Sequence, residues 1–263
     1  MDFMVEAEKQ EEIVEKSQEK PVVDPEVLQS MVQAGVLYGR KKAKTQPRMS
    51  KFICATRNGV ELIDPTQTLA FIDEASEYLK DIARDGKSIL VVGTTPSARV
   101  VAKTFADKFG YPVVTERWLG GTLTNFRTIY QRLQYYIKLR SDRDTGALEK
   151  YTKKERLEFS KKIEKLQVLF GGLEPFNRLP DVLLVFGATS HDTAVREAVK
   201  LSIPIVAIAS TDADPDLIDR VIPANDRARA SIKWVADKLA EAIEAGRAMG
   251  AKEPQEAPLV PKE

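Results

Sequence analysis

Apolar residues recur along this chain in two rhythms. Five short continuous runs, SILVVG (88–93), YPVVT (111–115), DVLLVFG (181–187), IPIVAIA (203–209) and RVIP (220–223), are too short for helices and rich in β-branched residues. Such runs predict parallel strands buried on both faces. Between them the apolar positions shift to intervals of three and four. Leu69, Ile72, Ala75, Leu79 and Ile82 define a helix, with Thr66 the expected cap. Pro96 fits a first helical turn, where its missing N–H costs nothing, and further helical stretches fall near 191–201 and 226–246. Ahead of these, Lys51–Thr56 and Val60–Asp64 flank Asn58-Gly59, a hairpin signal because both turn positions favour positive φ. Strand–helix alternation of this kind predicts an α/β fold, a parallel sheet covered by helices on both faces.

One stretch breaks the alternation. From Thr122 to Phe170 there is no strand signal. A first helical pattern carries Phe126, Ile129, Tyr130, Leu133 and Ile137, and a second carries Leu157, Ile163, Leu166 and Phe170. The second opens on the capping box Thr152-Lys153-Lys154-Glu155 and is expected to stop at Gly171-Gly172. SDRDTGA (141–147) supplies the turn between them. The prediction is an antiparallel coiled-coil hairpin inserted into the α/β body. The resulting organisation is an acidic flexible extension (1–26), a first part of the α/β domain (27–121), the hairpin (122–172), a second part (173–249) and a Pro-containing tail (250–263).

Charge sharpens this picture once it is divided along the chain. The whole sequence of 263 residues sums to only +1, yet residues 1–26 hold nine acids against three Lys. Residues 27–60 hold no acid and seven bases: Arg40, Lys41, Lys42, Lys44, Arg48, Lys51 and Arg57. Residues 116–180 are also basic, with fourteen bases against eight acids. An acid-free run in a chain that is 30% charged suits phosphate, because each neutralised phosphate releases counterions and nearby carboxylates would cancel the gain. The plainer reading of such a run is a solvated loop. No stretch approaches the roughly 20 apolar residues of a membrane span, and the acidic N-terminus has no signal-peptide character, so a soluble cytosolic protein without a membrane partner is expected.

Catalytic chemistry finds little footing. The turns GTTPSA (93–98) and FGATSHDTA (186–194) follow predicted strands, where open α/β sheets bind ligands, but neither has the spacing of a phosphate loop, and both read as ordinary connections. His191 is the sole histidine and Cys54 the sole cysteine, which excludes an intramolecular disulfide and gives neither a triad nor a zinc site. Cys54 reads as a core residue, and Asp212, Asp214, Asp216 and Asp219 around Pro215 as a solvated turn rather than a Mg²⁺ site. No metal, cofactor or small-molecule substrate is expected. More distinctive is the segment Arg117-Trp118-Leu119-Gly120-Gly121-Thr122-Leu123-Thr124-Asn125-Phe126, which suits a bend capped by Thr122 or Thr124 and equally a contact to phosphates and stacked bases.

That segment, the hairpin, Gly171-Gly172 and LPDVLLVF (179–186) together resemble the family of bacterial small-subunit ribosomal protein two. The likeness extends through Ala194-Val195-Arg196-Glu197-Ala198, Ile203-Pro204, Asp214-Pro215 and Val221–Asp226, and also Ala34-Gly35, Gly39, Pro47-Arg48-Met49 and Ala55–Gly59, covering about residues 27–248. It implies a flavodoxin-like three-layer α/β/α fold with a five-stranded sheet in order 2-1-3-4-5. It also implies binding to small-subunit rRNA and neighbouring ribosomal proteins near the junction of head and body, with ribosomal protein one a partner in some members, and no catalysis. The rRNA contacts are expected at Arg40, Lys41, Lys42, Lys44, Arg48, Lys51, Arg57, Arg117, Trp118, Thr122, Thr124, Asn125 and Arg127. The sequence departs from the family's pattern around Gly39, where two histidines and a Trp-Asn are replaced by Leu37, Arg40, Thr45 and Gln46. Gly93-Thr94-Thr95 and Gly187-Ala188 stand in place of Gly-Thr-Lys and Asp-Thr.

Overall fold

The computed structural model describes residues 24–250. The acidic extension and the tail lie outside the described residues, except that Pro25 and Glu26 already belong to the first helix and Gly250 to the last. All five apolar runs are strands: β4 (Ile89–Val92), β5 (Val113–Val114), β6 (Val182–Phe186), β7 (Ile205–Ala209) and β8 (Arg220–Pro223). They form one parallel sheet in spatial order β5-β4-β6-β7-β8. Counting only these strands, that is the 2-1-3-4-5 order of a flavodoxin-like sheet.

Because successive side chains point to opposite faces, each strand feeds two cores. Ile89, Val91, Leu184 and Ile208 face one side, beneath α2 (Pro65–Arg84), α3 (Pro96–Phe109) and α7 (Arg229–Gly250), with α1 (Pro25–Ala34) at the margin. Leu90, Val92, Leu183, Val185 and Ala207 face the other side, beneath α6 (Asp192–Lys200) and the base of the hairpin. Each such fully buried aliphatic side chain stabilises the fold by about 1.5–3 kcal/mol, so continuous apolar runs are what a sheet covered on both faces requires.

The hairpin helices are α4 (Phe126–Asp144) and α5 (Lys153–Phe170). The Thr152–Glu155 capping box forms as predicted. The apolar stripe of α4 is Ile129, Leu133, Tyr136 and Leu139, so the buried position falls one residue before the expected Ile137. On α5, Ile163 and Phe170 are buried, whereas Leu157 is 57% exposed, beyond the packed part of the pair. Asn125, not Thr122 or Thr124, occupies the N-cap of α4. Gly171 does not end α5 with a left-handed turn; its φ of −58° is right-handed and the chain continues as a 3₁₀ turn through Leu173. Gly172 is needed for close approach instead, since a Cβ there would sit 2.3 Å from the Val113 carbonyl oxygen. Likewise Asp64, not Thr66, caps α2, because Pro65 fills the first helical position and Asp64 accepts the Thr66 N–H at 2.9 Å.

A second, antiparallel sheet lies at the C-terminal edge of the first: β1 (Tyr38–Lys41), β3 (Val60–Ile63) and β2 (Ile53–Arg57), in that spatial order. The β2–β3 turn is the predicted one, with Asn58 and Gly59 at φ 51° and 74°. Strand β1 was not expected; its basic, glycine-containing sequence carries no strand signal, and it is a strand by its antiparallel pairing with β3. Cys54 is exposed on β2, contrary to the expectation of a core position, because the outer face of this sheet is uncovered among the described residues.

Candidate nucleic-acid interface

The acid-free segment 27–60 builds a basic surface that is anchored from behind. The Arg40 N–H donates to Thr211 Oγ1 and the Gln46 N–H to the Thr211 carbonyl, both at 2.8 Å, tying β1 and the turn after it to the end of β7. On β3 the side chains alternate: Glu61 and Ile63 are buried toward the body, while Val60 and Leu62 face outward. Two 3₁₀ turns follow, Lys42–Lys44, which buries no side chain, and Pro47–Phe52, which plugs Met49 and Phe52 into the core on the hairpin side of the sheet.

This anchoring removes Arg40 from the set of surface cations. Its side chain is only 8% exposed; Nε lies 2.9 Å from Asp212 and Nη2 lies 2.7 Å from Asp226. Burial pushes the Asp226 carboxyl above the usual carboxylate range, and the Arg40 charge opposes that rise. A guanidinium with two internal carboxylates has no charge left for phosphate, so the expectation for Arg40 is corrected: it fastens the small sheet to the body. Arg48 is intermediate in kind, 56% exposed but 3.0 Å from both Asp214 and Asp216. Lys41, Lys42, Lys44, Lys51 and Arg57 are exposed and make no salt bridge among the described residues. Lys51 lies over the Phe52 ring, 4.9 Å from its centroid.

The Trp118–Asn125 segment is organised by a residue that sequence reasoning did not single out. Glu197 of α6 is buried and accepts from Trp118 Nε1 at 3.0 Å and the Gly121 N–H at 2.8 Å through one oxygen. Through the other it accepts from the Leu123 N–H at 3.0 Å and from the N–H and hydroxyl of Thr124, each at 3.2 Å. Burial alone would raise the Glu197 pKa, but these donors outweigh it and hold the carboxyl below its ordinary value. The one available signal was an acid beside Ala194 and Ala198 on the buried face of a helix.

This geometry sorts the residues expected in the segment. Thr122 is buried, its hydroxyl donating to the Leu119 carbonyl, so its side chain does not face a partner; that expectation is corrected. Trp118 is half-buried with its N–H directed inward, and Thr124 also turns its hydroxyl toward Glu197. Arg117, Asn125 and Arg127 are exposed around the bend, and the Asn125 side-chain oxygen Oδ1 accepts the Thr128 hydroxyl.

The crevice where strand order reverses, between the ends of β4 and β6, is bridged by His191. Its Nε2 lies 2.9 Å from the Thr94 N and its Nδ1 lies 2.7 Å from the Gly187 carbonyl. A backbone N–H only donates, so Nε2 is the acceptor and Nδ1 carries the proton. Burial lowers the His191 pKa, favouring this neutral form. The backbone N–H that an anion would use at this turn is therefore occupied by imidazole. The four aspartates near Pro215 do not converge. Asp212 faces Arg40, Asp214 caps its own turn and Asp219 accepts the Ile205 N–H. Among the described residues no three His, Cys, Asp or Glu side chains are grouped to hold a metal ion, and no helix is long and apolar enough to cross a membrane.

These features define an α/β protein that presents surface, a basic small sheet, a basic bend and a projecting helical hairpin, with its sheet crevice closed by its own side chains. The ribosomal protein S2 family model matches residues 31–246. The small ribosomal subunit protein uS2 of Dictyoglomus turgidum is 40% identical over 227 residues, spanning 86% of this chain and 92% of that protein. That of Coprothermobacter proteolyticus is 39% identical over 220 residues, 84% of this chain and 82% of its own. The uS2c protein of Cyanophora paradoxa is 38% identical over 216 residues, with 82% and 93% covered. The chain belongs to the ribosomal protein S2 family, a family of structural ribosomal proteins.

Proposed function

We propose that the chain is a non-catalytic structural constituent of the small ribosomal subunit in the cytoplasm, holding small-subunit rRNA and neighbouring ribosomal proteins near the junction of head and body. Ribosomal protein one is a candidate neighbour on the strength of the family resemblance. The observation that carries the rRNA reading is the division of charge within residues 27–60. The fold neutralises Arg40 and engages Arg48, and leaves Lys41, Lys42, Lys44, Lys51 and Arg57 exposed without carboxylate partners among the described residues. Exposed cations free of internal partners are what counterion release on phosphate requires. Arg117 and Arg127 flank the Glu197-held bend and extend the surface to the root of the hairpin, where they set position rather than read bases.

Replacing Lys41, Lys42 and Lys44 by Gln tests this. In salt titrations of binding to small-subunit rRNA, the logarithmic slope is expected to flatten by roughly two to three, close to one per lost phosphate contact. An unchanged slope refutes phosphate contact by this turn, and recovery of the chain only in free fractions on sedimentation refutes the ribosomal assignment.

A further inference from the structure

The hairpin carries an aromatic side chain that its own packing does not account for. The buried stripe of α4 runs through Leu133, Tyr136 and Leu139, yet Tyr135 beside it is 43% exposed. It is not loose. The Lys162 ammonium of α5 reaches across the pair, donating to the Tyr135 hydroxyl at 2.8 Å and lying over the ring 4.7 Å from its centroid. That brace fixes the ring while leaving much of its surface bare. Arg132 and Lys138 lie three residues to either side of Tyr135, and Lys165 three beyond Lys162, spacings that put them on the same face. All four cations are exposed and none forms a salt bridge among the described residues, where the hairpin's pairs are Arg140–Glu174 and Arg143–Asp144. Asp142 and Glu158, each four residues from one of these lysines, bound the group on the side of the hairpin tip. Over residues 126–170 the bases outnumber the acids twelve to six.

We propose, on the rRNA reading above, that Tyr135 is a stacking platform for an unpaired base of the small-subunit rRNA. Arg132, Lys138, Lys162 and Lys165 hold the phosphates to either side of that base. Bases in RNA loops and bulges splay out and stack on aromatic rings, whereas a paired A-form duplex offers mainly its backbone and 2′-hydroxyls. An aromatic ring set among free cations is the make-up of a single-strand surface, where stacking and phosphate attraction act together. A protein partner would ask for something else, since the centre of a protein interface surrounds its aromatic anchors with apolar side chains and is depleted of Lys. Around Tyr135 the side chains at helical spacing are cations. The brace adds to the affinity, because a ring already held in one rotamer gives up little conformational freedom when a base settles on it. Position agrees as well. Tyr135 lies eight residues along α4 from Arg127, about 12 Å, so the platform continues the basic bend outward along the hairpin.

Salt titrations of the full chain on purified small-subunit rRNA separate stacking from charge, with circular dichroism checking that each variant keeps its helices. Tyr135→Ala and Tyr135→Leu are each expected to weaken binding by roughly five- to 150-fold, the worth of one stacked base, with the salt slope unchanged. Tyr135→Phe keeps the π-face and is expected to stay within a few-fold of the parent. Lys138→Gln/Lys165→Gln is expected instead to flatten the slope by roughly 0.7 per lost phosphate contact. Parent-like affinity of Tyr135→Ala overturns the proposal. So does rescue by Tyr135→Leu, which would mean plain apolar burial, and so does a flattened slope in Tyr135→Ala, which would mean that the ring only places Lys162. Tyr135→Ala that binds naked rRNA like the parent but fails to enter small subunits makes a protein the occupant and overturns it too. All of these results leave the contact by Lys41, Lys42 and Lys44 standing, whereas a parent chain that does not bind the rRNA refutes both readings.

Discussion

Glu197→Gln isolates the carboxylate that shapes the basic bend. The substitution preserves length and volume but replaces one acceptor oxygen by an NH₂ group, which only donates. If the amide oxygen takes the position facing Leu123 and Thr124, the NH₂ confronts Trp118 Nε1–H and the Gly121 N–H. The opposite orientation sets it against three donors. The better arrangement leaves two part-buried donors without an acceptor, at about 1–3 kcal/mol each, so a loss of about 2–6 kcal/mol follows. Against a total stability of order 5–15 kcal/mol that is large. Urea denaturation followed by Trp118 emission, in a Trp234→Phe background, reads both the global loss and the local environment. The depressed Glu197 pKa gives the parent a matching pH signature. The carboxylate's contribution is fully present above its ordinary pKa of about 4.5 and is lost as pH falls through the lower folded value. A variant within about 0.5 kcal/mol of the parent, the ordinary scatter of surface substitutions, with unchanged Trp118 emission, would refute the claim that Glu197 holds the bend.

Three further outcomes follow from the same structure. Arg40→Ala leaves the buried Asp226 and the half-buried Asp212 without their shared cation and is expected to cost about 3–5 kcal/mol, read as a lowered urea midpoint; a surface-sized effect would return Arg40 to the solvent-facing set. His191 is held neutral, so the unfolded chain takes up its proton first on acidification. Stability is therefore expected to decline as pH falls below about 6.5 and to level off below the depressed folded pKa, and His191→Gln should remove that part of the pH dependence of the urea midpoint. Gly172→Ala forces a methyl group against the Val113 carbonyl and is expected to cost about 1–3 kcal/mol, with the thermal midpoint as readout; an unchanged midpoint would show that the junction between β5 and the hairpin yields freely.

What the sequence discloses depends on whether the deciding interaction is local. The five parallel strands were legible because burial on both faces demands unbroken apolar runs, and the Asn58-Gly59 turn because its φ requirement lies within two residues. Strand β1 was not, since Tyr38–Lys41 has no apolar alternation of its own; it is a strand by pairing with β3 and is held from behind by Thr211, far along the chain. Cap assignments failed for a related reason. Thr122 and Thr124 are good capping residues in isolation, but Thr122 closes its own turn onto Leu119 and Thr124 is drawn to Glu197, which leaves Asn125 at the helix start. Cys54 was misplaced because small apolar residues in strands are usually covered, and among the described residues nothing covers the outer face of this strand.

The same distinction bears on charge. An acid-free segment looks uniformly available to phosphate when its charges are summed along the chain. Folding then brings carboxylates from positions 212–226 to Arg40 and Arg48, and not to their neighbours. Arg40 sits on the inward face of β1, so it meets the end of the large sheet, where Asp212 and Asp226 follow β7 and β8; Lys41, one residue on, points to solvent. The alternation of β1 thus separates Arg40, an internal fastener, from the exposed Lys41, and the 3₁₀ turn that follows leaves Lys42 and Lys44 exposed as well. Net charge per segment says what kind of partner to test for, and the fold says which of the charges are exposed to it. Within residues 40–44 that reduces four cations to Lys41, Lys42 and Lys44, the three whose removal should alter salt dependence while leaving the fold intact.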